Sequence, residues 1–160
     1  MSEKMFETNS QSLEQVRENF MREALNLARI AASEGEVPVG CVIVSESGEI
    51  IGRGRNCRES THSALAHAEI AAIAEACSAL GDWRLTGCTI YVTLEPCPMC
   101  AGAIINARIP TLVFGAREPS SGAAGSVIDL FSERFGHNPA VYAGILETEC
   151  VELLRGFFRN

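Results

Sequence analysis

Apolar positions recur at two different intervals along the chain, so the pattern predicts both helices and strands. After a polar lead-in over about residues 1–12, apolar residues at three- and four-residue spacing predict a helix over 13–34. Two short apolar runs then predict strands over 40–45 and 49–55, joined by a tight turn. The first third of the chain therefore alternates between helix and strand.

The same alternation continues to the end. An alanine-rich segment over 64–80 has apolar residues at helical spacing, and it carries His67 and Glu69 where we expect its first turn. Helices and strands in this order indicate one layered α/β domain over 1–160. The remaining predicted elements are a strand over 89–94, a helix that starts at Pro98, a strand over 111–116, a helix over 126–135, a strand over 140–145 and a last helix ending at Phe158.

Two short motifs supply the ligands of a catalytic zinc site. Residues 67–69 read His-Ala-Glu, and residues 96–100 read Pro-Cys-Pro-Met-Cys. One imidazole and two thiolates leave the fourth zinc position open for water, as catalytic sites require. Proline is favoured at the first position of a helix, so Cys97 is expected at the helix cap and Cys100 one turn inside. The positive end of the helix dipole favours the thiolates that the metal needs.

A Cys-x-x-Cys pair alone would equally suit a redox pair or half of a structural zinc knuckle. Joined to His-x-Glu on a separate helix, the pattern matches the signature of zinc nucleobase deaminases. Zinc lowers the pKa of bound water from about 16 towards 7, and Glu69 is placed to carry its proton to the ring and the leaving amine. The alternative for Glu69 is a solvated residue that complements the helix dipole.

Longer stretches around these motifs resemble the bacterial tRNA-specific adenosine deaminases, which convert adenosine to inosine at the wobble position of an anticodon. The likeness runs from about Leu13 to Arg159. The zinc motif is shared with cytosine, guanine and deoxycytidylate deaminases, and the later segments point to the tRNA branch. The stretches that carry the likeness are Val37-Pro38-Val39-Gly40, Asn56, residues 93–103, Phe114-Gly115-Ala116-Arg117, Gly122-Ala123-Ala124-Gly125-Ser126 and Phe157-Phe158-Arg159.

The resemblance implies a cytidine-deaminase-like fold, a three-layer α/β/α domain with a central mixed five-stranded sheet. It implies that His67, Cys97 and Cys100 hold one Zn²⁺ per subunit and that Glu69 is the catalytic proton shuttle. It also implies a homodimer that acts on the anticodon loop of a tRNA, an arginine tRNA in the type case. The expected contacts to the flipped base are the Asn56 side chain, the Ala68 N–H and a stacked Phe157 ring.

Several of these residues have a plainer interpretation. Asparagine is common in turns, so Asn56 has a second role open to it. Phe157 and its neighbour are suited either to stacking on RNA bases or to docking the last helix. The arginines Arg53, Arg55 and Arg58 suit RNA phosphates or an exposed strand edge. Four apolar residues suit either a dimer interface or the core: Met99, Ile104, Ile105 and Val127.

Composition narrows the function classes. The net charge is -7 and the pI is near 5.0, which argues against a nonspecific RNA binder. A free-base deaminase, for guanine or cytosine, therefore stays open as an alternative, and so does a noncatalytic zinc-stabilised scaffold. No apolar run predicts a membrane span or a signal peptide. Seven cysteines favour a reducing compartment, and we expect a cytoplasmic protein in which the five outside the motif are ordinary small residues.

Overall fold

A computed structural model describes residues 2–159, with side chains from residue 12 onwards. No helix within these residues is long and apolar enough to cross a bilayer. The elements in chain order are α1 (Ser2–Ser33), β1 (Gly40–Val44), β2 (Ile50–Arg55), α2 (Arg58–Thr61), α3 (Ala68–Leu80), β3 (Thr89–Leu94), α4 (Pro98–Asn106), β4 (Thr111–Ala116), a 3-10 helix (Leu130–Ser132), β5 (Ala140–Ala143) and α5 (Glu147–Arg159).

The five strands form one mixed sheet in the order β2-β1-β3-β4-β5. β1 pairs antiparallel with both β2 and β3, whereas β3, β4 and β5 run parallel to one another. Because β2 and β3 are each antiparallel to β1, they point in the same direction. Their carboxyl ends therefore lie at the same end of the sheet, and the helices that follow them start there.

Helices cover both faces of the sheet. Cys41 and Ile43 of β1 pack with α3 and α4 on one face, and Val42 packs with α1 on the other. Successive strand residues point to opposite faces, so a strand buried on both sides must be apolar throughout. α5 lies in the layer of α1. The expected α/β class, with three layers and a mixed five-stranded sheet, is confirmed.

α3 packs unusually close to β2. Three alanines of α3, Ala68, Ala72 and Ala76, are fully buried at four-residue intervals. They face Gly52 and Gly54 of β2, where an added Cβ would lie 2.3 and 2.0 Å from backbone oxygens of the helix. In the alternating Gly-Arg-Gly-Arg of β2, the two glycines thus lie on the face that packs against these three alanines, and the absence of Cβ atoms permits the close approach.

Two element predictions need correction, and one element was missed. α1 begins at Ser2 rather than at residue 13, since the polar lead-in contains no glycine or proline to stop a helix. The short helix α2 was not predicted. The helix expected over 126–135 is wrong, because only Leu130–Ser132 forms a 3-10 turn there. Local turns take the place of the helix: Leu130 N–H donates to the Ala123 carbonyl, and the Asp129 carboxylate accepts from Phe131 N–H.

Candidate metal centre and active site

The two sequence motifs meet at the amino-terminal ends of α3 and α4. His67 is the N-cap residue of α3, and Cys97 is the N-cap residue of α4 with Pro98 at the first helical position. Cys100 lies one turn further along α4 and is buried. Since β2 and β3 end on the same side of the sheet, residues thirty positions apart in sequence converge on one point.

The distances within this group fit a zinc ion. The His67 Nδ1 atom lies 3.6 Å from the Cys97 Sγ atom and 3.5 Å from the Cys100 Sγ atom. Tetrahedral zinc with ordinary Zn–N and Zn–S bonds would separate its nitrogen and sulfur ligands by about 3.6 Å. Among the described residues, these three are the one group of histidine, cysteine or carboxylate side chains that lie close enough together to hold a metal ion. One imidazole and two sulfurs therefore offer three ligands and leave a fourth position open.

The electrostatics of these three side chains favour a thiolate at Cys97. Hydrogen bonds from Cys100 and then from His67 outweigh burial and lower the pKa of the Cys97 thiol to about 4. The pKa of Cys100 is raised, because its thiol donates to that thiolate and is desolvated. The hydrogen bond to Cys97 likewise raises the pKa of His67. Cys97 and Cys100 thus share one thiol proton, which a divalent cation bound by both sulfurs would displace.

Glu69 is buried in the first turn of α3 beside this group. Its residue is only 4% exposed, and desolvation raises the pKa of its carboxyl to about 7. A carboxyl that titrates near neutrality can both accept and return a proton at physiological pH. This environment differs from the solvated helix-start position that was the alternative interpretation of Glu69.

A pocket opens in front of Glu69. Its floor comes from the starts of α3 and α4, and its walls come from three loops, one after α1, one after β2 and one after β4. Its lining residues are Val37, Val39, Asn56, Arg58, His67, Ala68, Glu69, Leu94, Glu95, Cys97, Glu118, Ser121 and Phe158.

Asn56 lines the pocket and also shapes a turn. Its Nδ2 atom donates to the Val37 carbonyl at 3.2 Å, and its Oδ1 atom accepts from Arg58 N–H at 3.1 Å. Both interpretations of Asn56 are therefore compatible, since each polar atom of the amide keeps capacity for one further hydrogen bond. Ala68 is fully buried as the first residue of α3, where a backbone N–H has no acceptor within its own helix.

Phe157 and Phe158, near the end of α5, differ in their surroundings. Phe158 lines the pocket and is 69% exposed. Phe157 lies in a groove with Ala32 and Gly35 at the end of α1, and Phe158 also borders that groove. Phe157, which was expected to stack on the base, is thus not among the pocket-lining residues, whereas its neighbour Phe158 is. Phe157 follows Leu153 by one turn of α5, so both residues face the groove beside α1.

The three arginines around Asn56 differ in their surroundings. Arg55 makes a bidentate ion pair with Glu34, with both N···O distances at 3.1 Å. Arg53 is exposed on β2, which is an edge strand. Arg58 lines the pocket. Of the three, Arg58 is therefore the one whose guanidinium lies near the site.

Two buried carboxylates that the sequence did not reveal hold the pocket loops. Glu36 is 1% exposed and accepts from Glu59 and Ser60 N–H at 3.0 and 2.7 Å, which caps α2. These backbone hydrogen bonds, that from Glu59 first, lower the pKa of Glu36. Glu95 accepts donors from the loop after β4. The only local signal for Glu95 was an acidic residue at the end of an apolar strand.

The remaining candidates lie outside the site. His62 caps the end of α2, and the His137 ring contacts the Ile109 carbonyl at 2.8 Å. Ile104 and Ile105 are core residues, so they are removed from the expected dimer surface, whereas Met99 is half-buried and Val127 is 55% exposed. The five cysteines outside the motif are free and buried or half-buried, as expected: Cys41, Cys57, Cys77, Cys88 and Cys150.

Comparisons with known proteins agree with this geometry. Residues 14–116 match the family described as the cytidine and deoxycytidylate deaminase zinc-binding region. The chain is 51% identical over 144 residues to the tRNA-specific adenosine deaminase of Bacillus subtilis (strain 168), and the match covers 89% of each protein.

Two solved structures share the fold. One, from work on A-to-I editing by tRNA:A34 deaminases at the wobble position of transfer RNA, has a TM-score of 0.81 and 47% identity and covers 85% of this chain and 99% of the other. A guanine deaminase from Nitrosomonas europaea has a TM-score of 0.79 and 25% identity, with 89% and 85% covered. The chain therefore belongs to the tRNA-specific adenosine deaminase family, within the zinc-binding cytidine and deoxycytidylate deaminases.

Proposed function

We propose that this protein hydrolyses adenosine to inosine at the wobble position of a tRNA anticodon and releases ammonia. The observation that carries the proposal is the buried Glu69 carboxyl beside the His67, Cys97 and Cys100 ligand set, at the base of an open pocket. Relatives of this sequence bear the name of that activity. A purely structural zinc site would have no use for a carboxyl that titrates near pH 7.

In this proposal, His67, Cys97 and Cys100 bind one zinc ion per subunit. When bound, zinc supplies the Lewis acidity that makes water a nucleophile at neutral pH. Glu69 accepts one proton from the attacking water and delivers it to the ring nitrogen. It then accepts the second proton of the same oxygen and delivers it to the departing amine, so that ammonia leaves and a carbonyl forms. Burial of the Glu69 carboxyl disfavours its charged form and so favours the protonated form that returns the proton.

The pocket residues orient the base. Asn56 offers one donor and one acceptor to the base edge while its other hydrogen bonds hold it in place. The Ala68 N–H at the start of α3 donates to the base. The exposed Phe158 ring stacks on a splayed nucleotide, and Arg58 pairs with a phosphate.

We further propose a cytoplasmic homodimer that acts on an arginine-type tRNA. Exposed apolar residues near the zinc-ligand helices support a self-association surface, with Leu65 at 63% and Val127 at 55% exposure. Light scattering on the purified protein tests the dimer. A panel of anticodon stem-loops that differ only in sequence around the wobble adenosine tests the tRNA preference.

The decisive experiment measures inosine in an arginine-type anticodon stem-loop in parallel with ammonia release from free guanine, cytosine and adenosine. We expect inosine in the RNA, less of it as salt rises because phosphate contacts are screened, and none with Glu69→Ala. Ammonia from a free base without inosine would overturn the tRNA substrate and favour the second candidate. No product from any substrate by the zinc-loaded protein would instead favour a noncatalytic scaffold.

That second candidate is a free-base deaminase such as a guanine deaminase. The net charge of -7 favours a small substrate over a polyanion, and the guanine deaminase from Nitrosomonas europaea shares the fold at 25% identity. Its turnover should be insensitive to salt, so the same experiment separates the two candidates.

A further inference from the structure

The Glu95 side chain lies at the junction between the zinc-ligand helix and the loop after β4. It is 2% exposed, yet it carries a carboxylate. Its Oε1 atom accepts from Glu118 N–H at 3.1 Å and from the Ser126 hydroxyl. Its Oε2 atom accepts from Ala124 N–H at 3.0 Å and from Ser126 N–H at 3.1 Å. Four donors from one loop thus converge on one buried anion.

The backbone on either side of Glu95 joins the same loop. Glu95 N–H donates to the Ala116 carbonyl at 2.8 Å, and the Pro96 carbonyl accepts from Ala123 N–H at 2.8 Å. Gly122 passes directly over the carboxylate, where a Cβ atom would lie 2.3 Å from Oε2. The loop is therefore folded tightly around this side chain rather than merely touching it.

This loop forms one wall of the pocket through Glu118 and Ser121. Cys97, a proposed zinc ligand, lies two residues after Glu95. One carboxylate thus connects the segment that leads into the metal-binding helix with the wall that faces the substrate. The Glu118 backbone is fixed directly by Glu95, so the position of the wall depends on that hydrogen bond.

We propose that Glu95 is a positioning residue that sets the substrate-facing wall of the pocket by holding the loop over residues 117–126. Glu95 borders the pocket, but loop donors occupy both of its carboxylate oxygens, so it acts through Glu118 and Ser121. This inference rests on the proposed function for its kinetic consequence. Its structural part, that the carboxylate holds the loop, stands independently.

Glu95→Gln tests the proposal with minimal change of shape. Each carboxylate oxygen of Glu95 accepts hydrogen bonds from two donors. In either orientation of the glutamine amide, its NH2 group would therefore face two donors and could accept from neither. We expect faster amide hydrogen exchange over 117–126, with exchange in α1 and α5 unchanged. We also expect KM for the stem-loop to rise about ten-fold, with kcat within about three-fold and one zinc per chain retained.

Two further variants make the test specific. Ser126→Ala removes one side-chain donor and should cause a smaller change in the same direction, which keeps the proposal testable if Glu95→Gln fails to fold. Leu85→Ala, a buried core change near the far end of α4, should lower the melting temperature without raising KM.

The outcomes separate the two proposals. Unchanged exchange over 117–126 in Glu95→Gln would overturn the positioning role, and so would an unchanged KM with an active wild type. A wild type that forms no inosine would overturn the proposed function alone, because the exchange measurement would still decide whether Glu95 holds the loop.

Discussion

The close contact between β2 and α3 gives a sharp prediction at Gly54. A Cβ atom at this position would lie 2.0 Å from the Ala68 carbonyl oxygen and 2.8 Å from the Ala72 nitrogen. Since such contacts are essentially never below 3.0 Å, Gly54→Ala must push the start of α3 away from the sheet by about 1 Å. Both obstructing atoms belong to backbone, so no side-chain rotation relieves the clash.

The expected losses of stability and activity in Gly54→Ala follow from the overpacking and from the residues at the start of α3. Overpacking of this kind costs about 1–3 kcal/mol of folding free energy. His67 and Glu69 flank Ala68, so the shift moves a proposed metal ligand and the proposed proton shuttle together. A misplacement of about 1 Å at such groups lowers activity about a hundred-fold. We therefore expect Gly54→Ala to lose most activity even where it is fully folded.

Gly52→Ala is the matched control, because its Cβ would lie 2.3 Å from the Ala72 oxygen, one turn further along the same helix. We expect a similar loss of stability in urea denaturation but a much smaller loss of deamination. Gly156→Ala, whose Cβ meets nothing within 4 Å, should leave stability unchanged or improved. Equal activity of the Gly54 and Gly52 variants at equal folded fraction would refute the link between this contact and the site.

Four further predictions follow from the site. Glu69→Gln should keep the fold and zinc but lower kcat about 10²–10⁴-fold, whereas Glu75→Gln on the exposed side of α3 should match the wild type in the same assay. Cys97→Ala should lose zinc, measured by metal analysis after dialysis, because only two of the three ligands stay in place. Phe158→Ala should raise KM for the stem-loop with little change in melting temperature, and Phe157→Ala should do the reverse, since only Phe158 lines the pocket. The raised pKa of Glu69 means that the fold favours the neutral carboxyl. Its contribution to stability is therefore present below about pH 4.5 and lost as pH rises through about 7. In urea denaturation, metal-free wild type should lose stability relative to Glu69→Gln between about pH 5 and pH 8.

The metal centre was predictable because its signals are local. The cap position of Cys97 follows from Pro98, and the one-turn spacing to Cys100 follows from the helix that Pro98 starts. The strands over 89–94 and 111–116 were predicted at their observed bounds, because a strand buried on both faces reads as a continuous apolar run. Each of these signals needs only a few neighbouring residues.

The features that were missed depend on partners far away in sequence. The donors to Glu95 come from residues 23 to 31 positions later, and nothing near Glu95 identifies them. The sequence contains Gly52 and Gly54, but it does not reveal why they are glycines. The reason is the row of buried alanines on α3 that packs against them in the fold.

The two buried carboxylates also bear on how an acidic chain can accept RNA. Glu36 lies behind the pocket walls, whereas Glu95 borders the pocket and is 2% exposed. Hydrogen bonds from the loops lower the pKa of each carboxyl, so both stay ionised at neutral pH. Backbone N–H groups and one hydroxyl satisfy them, rather than arginine side chains. The Arg58 side chain donates to neither carboxylate, although its charge contributes to the lowered pKa of Glu36. Part of the net charge of -7 is thus buried and already hydrogen-bonded, which lessens the conflict between the overall charge and the proposed polyanionic substrate.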